Sequence, residues 1–151
     1  VAGVAAAAVI HFSWITRNAP LDLITCAMGI LIGMCADTAV AWTGALKFTH
    51  CTVAGPVNPP FMLALWGAFS LMMNDALAWL KGRYALGSAI GFVGGPLAYW
   101  GGAQLGAVAL GDGVWRSLLI IGIEWAIVMP VFLYAIRCAE THVRHAQGGA
   151  R

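Results

Sequence analysis

Charge is what this chain has least of. Lys, Arg, Asp and Glu make up 9% of its 151 residues, where a soluble domain carries about 25%. With 61% hydrophobic residues and a mean hydropathy of +0.83, it cannot cover itself with a water-compatible surface. The net charge of +2 comes without a basic run interleaved with aromatics, which excludes a nucleic-acid partner. Four cysteines (Cys26, Cys35, Cys51, Cys138) form no CxxC pair, and two share one apolar segment, which argues against a disulfide or zinc framework. GxSxG, HExxH, P-loop and His-box patterns are all missing, so no catalytic residue and no cofactor is expected. Cys138, Glu140, His142 and His145 in the tail, and His50-Cys51, match no metal-ligand spacing. His11 reads as a packing or interfacial residue. The methionines Met28, Met34, Met62, Met72 and Met73 read as adaptable packing.

Long apolar runs are abundant instead. Five segments are legible: Val1–Ile15, Leu21–Leu46, Phe61–Leu80, Ala85–Leu110 and Val114–Ile136. About 20 residues cross ~30 Å of hydrocarbon, so the fold expected is an all-α integral membrane bundle of five helices. The first segment is short and the chain opens on Val1, which reads as a helix entered partway and raises the count to six in a full-length protein. Residues 1–137 form one transmembrane domain in this reading, with 138–151 a polar, fraying tail. Arg17, Lys81, Arg83, Arg137, Arg144 and Arg151 fall on one side of the bundle, Lys47 and Arg116 on the other. The positive-inside rule then places the tail in the cytoplasm and the Lys47–Asn58 loop outside. Trp14, Trp42, Trp79 and Trp115 lie near helix ends, where interfacial anchors belong.

Glycine is patterned. Gly87, Gly91, Gly95, Gly102 and Gly106 stack on one face of the fourth segment, and Gly29 and Gly33 repeat the spacing in the second. Small residues so spaced let helices approach closely in lipid, either within the chain or between copies. Pro96 and Pro130 interrupt the fourth and fifth segments.

Four polar residues stand inside apolar segments: Asp37, Asn74, Asp75 and Glu124. A carboxylate near the centre of a membrane helix costs ~2.5–3.5 kcal/mol on insertion scales, so each calls for a reason. At ~1.5 Å per residue, Asp37 stands ~6 Å to the outer side of its midpoint, Glu124 near the midplane and Asp75 ~7 Å to the cytoplasmic side. That stagger argues against a paired-carboxylate site. No basic residue lies at matching depth, and desolvation favours the neutral forms. Two readings remain open: protonatable groups along a polar path, or hydrogen bonds to neighbouring helices and to carbonyls freed by proline. Asn74, with Ser70 one turn earlier, reads as a donor between helices.

The stretches PPFMLALWGAFSLMMNDALAWLKGR and LGSAIGFVGGPLAYWGGAQLGAV, with CADTAVAWTGAL before them, resemble an uncharacterised bacterial inner-membrane family, the domain-of-unknown-function family DUF2878. By position, the motif residues are Asp37, Trp66, Asn74, Trp79, Gly94, Gly95, Pro96 and Tyr99. Asp75 departs from the family pattern, which usually has histidine there. Members begin with one more apolar helix and are often encoded near lipid-modifying enzymes; no activity is established for them. The resemblance implies a multi-pass protein of the bacterial inner membrane.

Three functions are compatible with these features. The first is a non-catalytic accessory or scaffolding subunit of a larger membrane complex, with the lipid bilayer and other membrane subunits as its partners. The second is a small transporter or lipid-handling carrier that uses buried carboxylates. The third is a lipid-modifying membrane enzyme.

Overall fold

The computed structural model describes residues 18–49 and 58–148. The expected first helix (Val1–Ile15) and the His50-Cys51 pair lie outside the described residues. Four α-helices are present among those described: α1 (Ala19–Trp42), α2 (Pro60–Asn74), α3 (Tyr84–Gln104) and α4 (Val114–Gly148), with a 3-10 turn at Ala78–Leu80. By length and composition, Ala19–Trp42 and Val114–His145 can each cross a membrane. α2 is apolar but short, and α3 carries six glycines.

Local chemistry sets the helix ends. Asn18 caps α1 by accepting from the Leu21 N–H at 3.2 Å, and Pro20 occupies the first turn, where no N–H is needed. Pro59 and Pro60 start α2 without a side-chain cap, Pro60 standing in the first turn as Pro20 does. Four C-terminal boundaries differ from the expected ones. The second segment stops at Trp42 and the fourth at Gln104, because Leu46–Phe48 (β1) and Val108–Leu110 (β2) pair as an antiparallel ribbon with Leu46 opposite Leu110. Gly44 and Gly106 take positive φ at the two turns into that ribbon, a conformation glycine adopts without steric cost. The third segment stops at Asn74, not Leu80, and Asp75 is its C-cap. α4 runs on into the expected tail as far as Gly148, burying Ala139 and Val143.

Among the described residues, packing is sequential around a ring that does not close. α1 packs on α2 and on α4, α4 packs on α3, and α2 and α3 barely touch. The glycine seams set how closely this happens. A methyl on Gly29 would overlap Ser70, and one on Gly33 would overlap the Trp66 ring, so α1 lies tight on α2. Gly87, Gly91 and Gly95 receive Leu133, Met129 and Trp125 of α4. Gly102 makes only ordinary contact with Val108, and Gly106 lies beyond the helix at positive φ, so the expected five-glycine face is three residues long. The seams are thus filled within the chain.

The prolines are matched to the same interface. Pro130 leaves the Ala126 carbonyl without its helical donor, and Ser88 of α3 donates its hydroxyl to that oxygen. Pro96 frees the Phe92 carbonyl, which faces Gly122 of α4, where a methyl would lie 3.0 Å away.

Candidate functional site

One side chain from each helix meets in the middle of the bundle. Asp37 of α1 is fully buried and accepts two hydrogen bonds. Trp66 of α2 donates its indole N–H to Oδ2 at 2.7 Å, and Tyr99 of α3 donates its hydroxyl to Oδ1. Trp125 of α4 stacks on Trp66, with ring centroids 5.0 Å apart and planes 14° apart, and meets Tyr99 edge to face at 6.4 Å. Beside Trp125 stands Glu124. Both of its carboxyl oxygens are buried without a hydrogen-bond partner among the described residues, and it lies within electrostatic reach of Asp37 and Tyr99.

The stagger in depth argues against one paired-carboxylate site, and the two acids share no hydrogen bond among the described residues; Glu124 lies within electrostatic reach of Asp37 and of Tyr99. The contacts at Gly33 and Gly95 draw Trp66 and Trp125 inward.

A cavity of about 230 Å³ adjoins this cluster, in the opening between α2 and α3. Phe61, Trp66, Phe69, Tyr99 and Trp125 supply its aromatic surface. Leu65, half-exposed, stands at its rim. The opening exists because α2 and α3 leave their flanks unpaired.

A second polar cluster ties the opposite end of the bundle. Asn74 donates its amide N–H groups to Asp22 Oδ1 at 2.8 Å and to Thr25 Oγ at 3.2 Å. Its carbonyl oxygen accepts from Lys81 Nζ at 3.2 Å, and the same ammonium pairs with Glu140 at 2.6 Å. Thus α1, α2, the turn after α2 and α4 are joined through one asparagine. Asp75, its neighbour, is exposed at the helix end and does not belong in the bundle core.

Asp22, Thr25, Lys81, Glu140 and Trp125 were not among the expected site residues. Asp22 and Thr25, three apart, share a helix face, and that spacing was the available signal. Of the remaining motif residues, Trp79 is exposed under the Arg83 guanidinium, which lies 5.9 Å from its ring centre. Gly94 is exposed with open space beside it, and Pro96 lies inside α3. In the tail, His142 Nδ1 is 2.8 Å from the Cys138 carbonyl oxygen, one helical turn back. No group of three potential metal ligands gathers among the described residues.

The family model "Protein of unknown function (DUF2878)" matches residues 1–131, and the chain belongs to that family. No curated protein and no solved structure matches it.

Proposed function

We propose that this DUF2878 protein is a multi-pass protein of the bacterial inner membrane that works as a small carrier through the buried acids Asp37 and Glu124. Each described helix crosses the bilayer in turn, with the β1–β2 ribbon outside and the Asn74–Lys81–Glu140 end, including the C-terminus, in the cytoplasm. The outward faces support a lipid setting: Leu31, Leu97, Ile127 and Val131 are each more than half exposed, an arrangement that water penalises and hydrocarbon does not. Lys81, Arg83, Arg137 and Arg144 gather at one end while Lys47 and Arg116 mark the other.

The observation that carries the carrier reading is Glu124. A structural acid in an apolar bundle would be hydrogen-bonded, as Asp37 is; burying a carboxyl without a partner costs free energy and returns none in stability. Such a group, next in the chain to the cavity-lining Trp125, is suited to a passing solute or proton. The accessory-subunit reading makes no use of it, and the glycine seams at Gly29, Gly33, Gly87, Gly91 and Gly95 are filled from within the chain. The lipid-modifying reading lacks any nucleophile paired with a base at the site.

A carrier's acid must be reachable, whereas a packing acid is sealed. Treatment of native membranes with dicyclohexylcarbodiimide, a lipophilic carboxyl reagent, followed by peptide mass spectrometry, separates the two. The expected adduct is on Glu124. If Glu124 stays unmodified at saturating reagent, the carrier reading fails. Stoichiometric partner proteins after gentle-detergent purification would then favour the accessory subunit.

A further inference from the structure

We propose that the cavity between α2 and α3 binds an uncharged hydrocarbon group, larger than a benzene ring and in need of no hydrogen bond. The assignment goes beyond the carrier reading and does not depend on Glu124. Three observations lead there.

The first is the wall. No charged side chain lines the cavity among the described residues, and its surface is almost entirely hydrocarbon. The polar atoms on its lining side chains are engaged elsewhere. The Trp66 N–H and the Tyr99 hydroxyl both donate to Asp37, which does not itself line the cavity. The Trp125 N–H is buried in the packing and is not presented to the space. A charged or strongly polar ligand would lose its hydration here and gain no partner. Water fares no better, because a buried water needs several polar partners and apolar cavities stay dry.

The second is that small side chains keep the space open where no neighbour requires them to be small. Gly87, Gly91 and Gly95 of α3 are small because α4 presses on them. Gly102, farther along the same helix, lines the cavity, and a methyl there would make only ordinary contact with Val108 at 3.6 Å. Ala98 and Ala107 border the same space. Larger side chains at these positions would fill it, and an unfilled space of this size lowers stability. A void that packing does not require, and that water and charge both avoid, fits an apolar occupant.

The third is size and access. An apolar cavity of ~150 Å³ admits benzene, so about 230 Å³ admits a two-ring or branched hydrocarbon. Leu65 of α2 and Ala98 of α3 line the cavity and are themselves exposed, so its mouth lies between them. A free solute and a lipid tail offer the same chemistry, and the test separates them.

Naphthalene is the probe, with 2-naphthoate and 2-naphthyltrimethylammonium as charged relatives of the same ring. Equilibrium dialysis measures each against the protein in lipid nanodiscs, with empty nanodiscs subtracted. The measurement is repeated in a hemifluorinated surfactant, whose tails mix poorly with hydrocarbon. Naphthalene should saturate at one per chain, and each charged relative should bind at least ~10-fold more weakly. Gly102→Leu, which extends a side chain into the space, should weaken naphthalene at least ~10-fold, while Gly94→Ala, outside the lining, should leave it unchanged. Ala98→Leu repeats the block from a second position, with circular dichroism confirming that the variants fold. Equal naphthalene affinity in the two media identifies a site for a free solute. Saturation in the surfactant alone means that a lipid tail holds the cavity in the bilayer. Absence of saturable naphthalene in both media would overturn the proposal, as would binding that both leucine variants leave intact, or a charged relative that binds as tightly.

Discussion

Asp37 and Glu124 are both acids in the bundle interior, and their surroundings give them opposite roles. Asp37 satisfies two buried donors, so its removal orphans the Trp66 N–H and the Tyr99 hydroxyl. Each buried unpaired donor costs ~1–3 kcal/mol. Asp37→Ala should therefore lower unfolding free energy by a few kcal/mol, and Tyr99→Phe, which removes one donor and leaves one acceptor lone, should cost less. Chemical unfolding in detergent checks both. Asn74 and Asp75 make a second contrast within one dipeptide. Asn74 holds Asp22, Thr25 and Lys81 together, whereas Asp75 is exposed at the helix end. With interhelical hydrogen bonds averaging ~0.6 kcal/mol each in a membrane protein, Asn74→Ala should cost ~1–2 kcal/mol. Asp75→Asn, an isosteric change at the exposed helix end, should cost less than Asn74→Ala. A cost at Asp75 equal to that at Asn74 would contradict the assignment of the lock to Asn74.

At the scale of elements, the α3–α4 seam carries the sharpest steric expectation. A methyl on Gly91 would lie 2.5 Å from the Trp125 carbonyl oxygen, which is backbone and cannot swing aside. Gly91→Ala should destabilise by ~1–3 kcal/mol through overpacking. Three residues on, Gly94 faces open space, so Gly94→Ala should be neutral or gain up to ~1 kcal/mol of helix propensity. Thermal unfolding of the two single variants side by side tests the seam. Much of this element structure is legible in the sequence: α1 and α4 from uninterrupted apolar runs, the helix starts from Asn18-Ala19-Pro20 and Pro59-Pro60, the close packing from glycine spacing. The ribbon is not, because Leu46–Phe48 and Val108–Leu110 are three-residue strands 60 residues apart with no alternation long enough to distinguish them from helix ends. The convergence of Asp37, Trp66, Tyr99 and Trp125 is legible only in part. The family resemblance marks the first three residues, but their meeting depends on helix rotation and crossing, which periodicity along one helix does not encode.

At the scale of the whole molecule, the described residues form a bundle clasped at both ends and open along one flank. The ribbon ties the turns after α1 and α3 at one end, the Asn74–Lys81–Glu140 lock ties α1, α2 and α4 at the other, and between them α2 and α3 stay apart. The proposed orientation is tested with single cysteines in a cysteine-free background: a membrane-impermeant maleimide applied to spheroplasts should label Lys47→Cys and spare Arg83→Cys. The reverse pattern would invert the topology.

The central claim is that the site between the clasps exists to bind, and Glu124 separates binding from stability, since it forms no hydrogen bond among the described residues. The most direct measurement is carbodiimide labelling of Glu124 in native membranes, set beside the unfolding free energy of Glu124→Gln. The account predicts an adduct on Glu124 and, for the variant, stability within ~0.5 kcal/mol of the parent or above it, relieved of a buried unpaired acid. An unlabelled Glu124 together with a strongly destabilised variant would make Glu124 a structural residue and contradict the account.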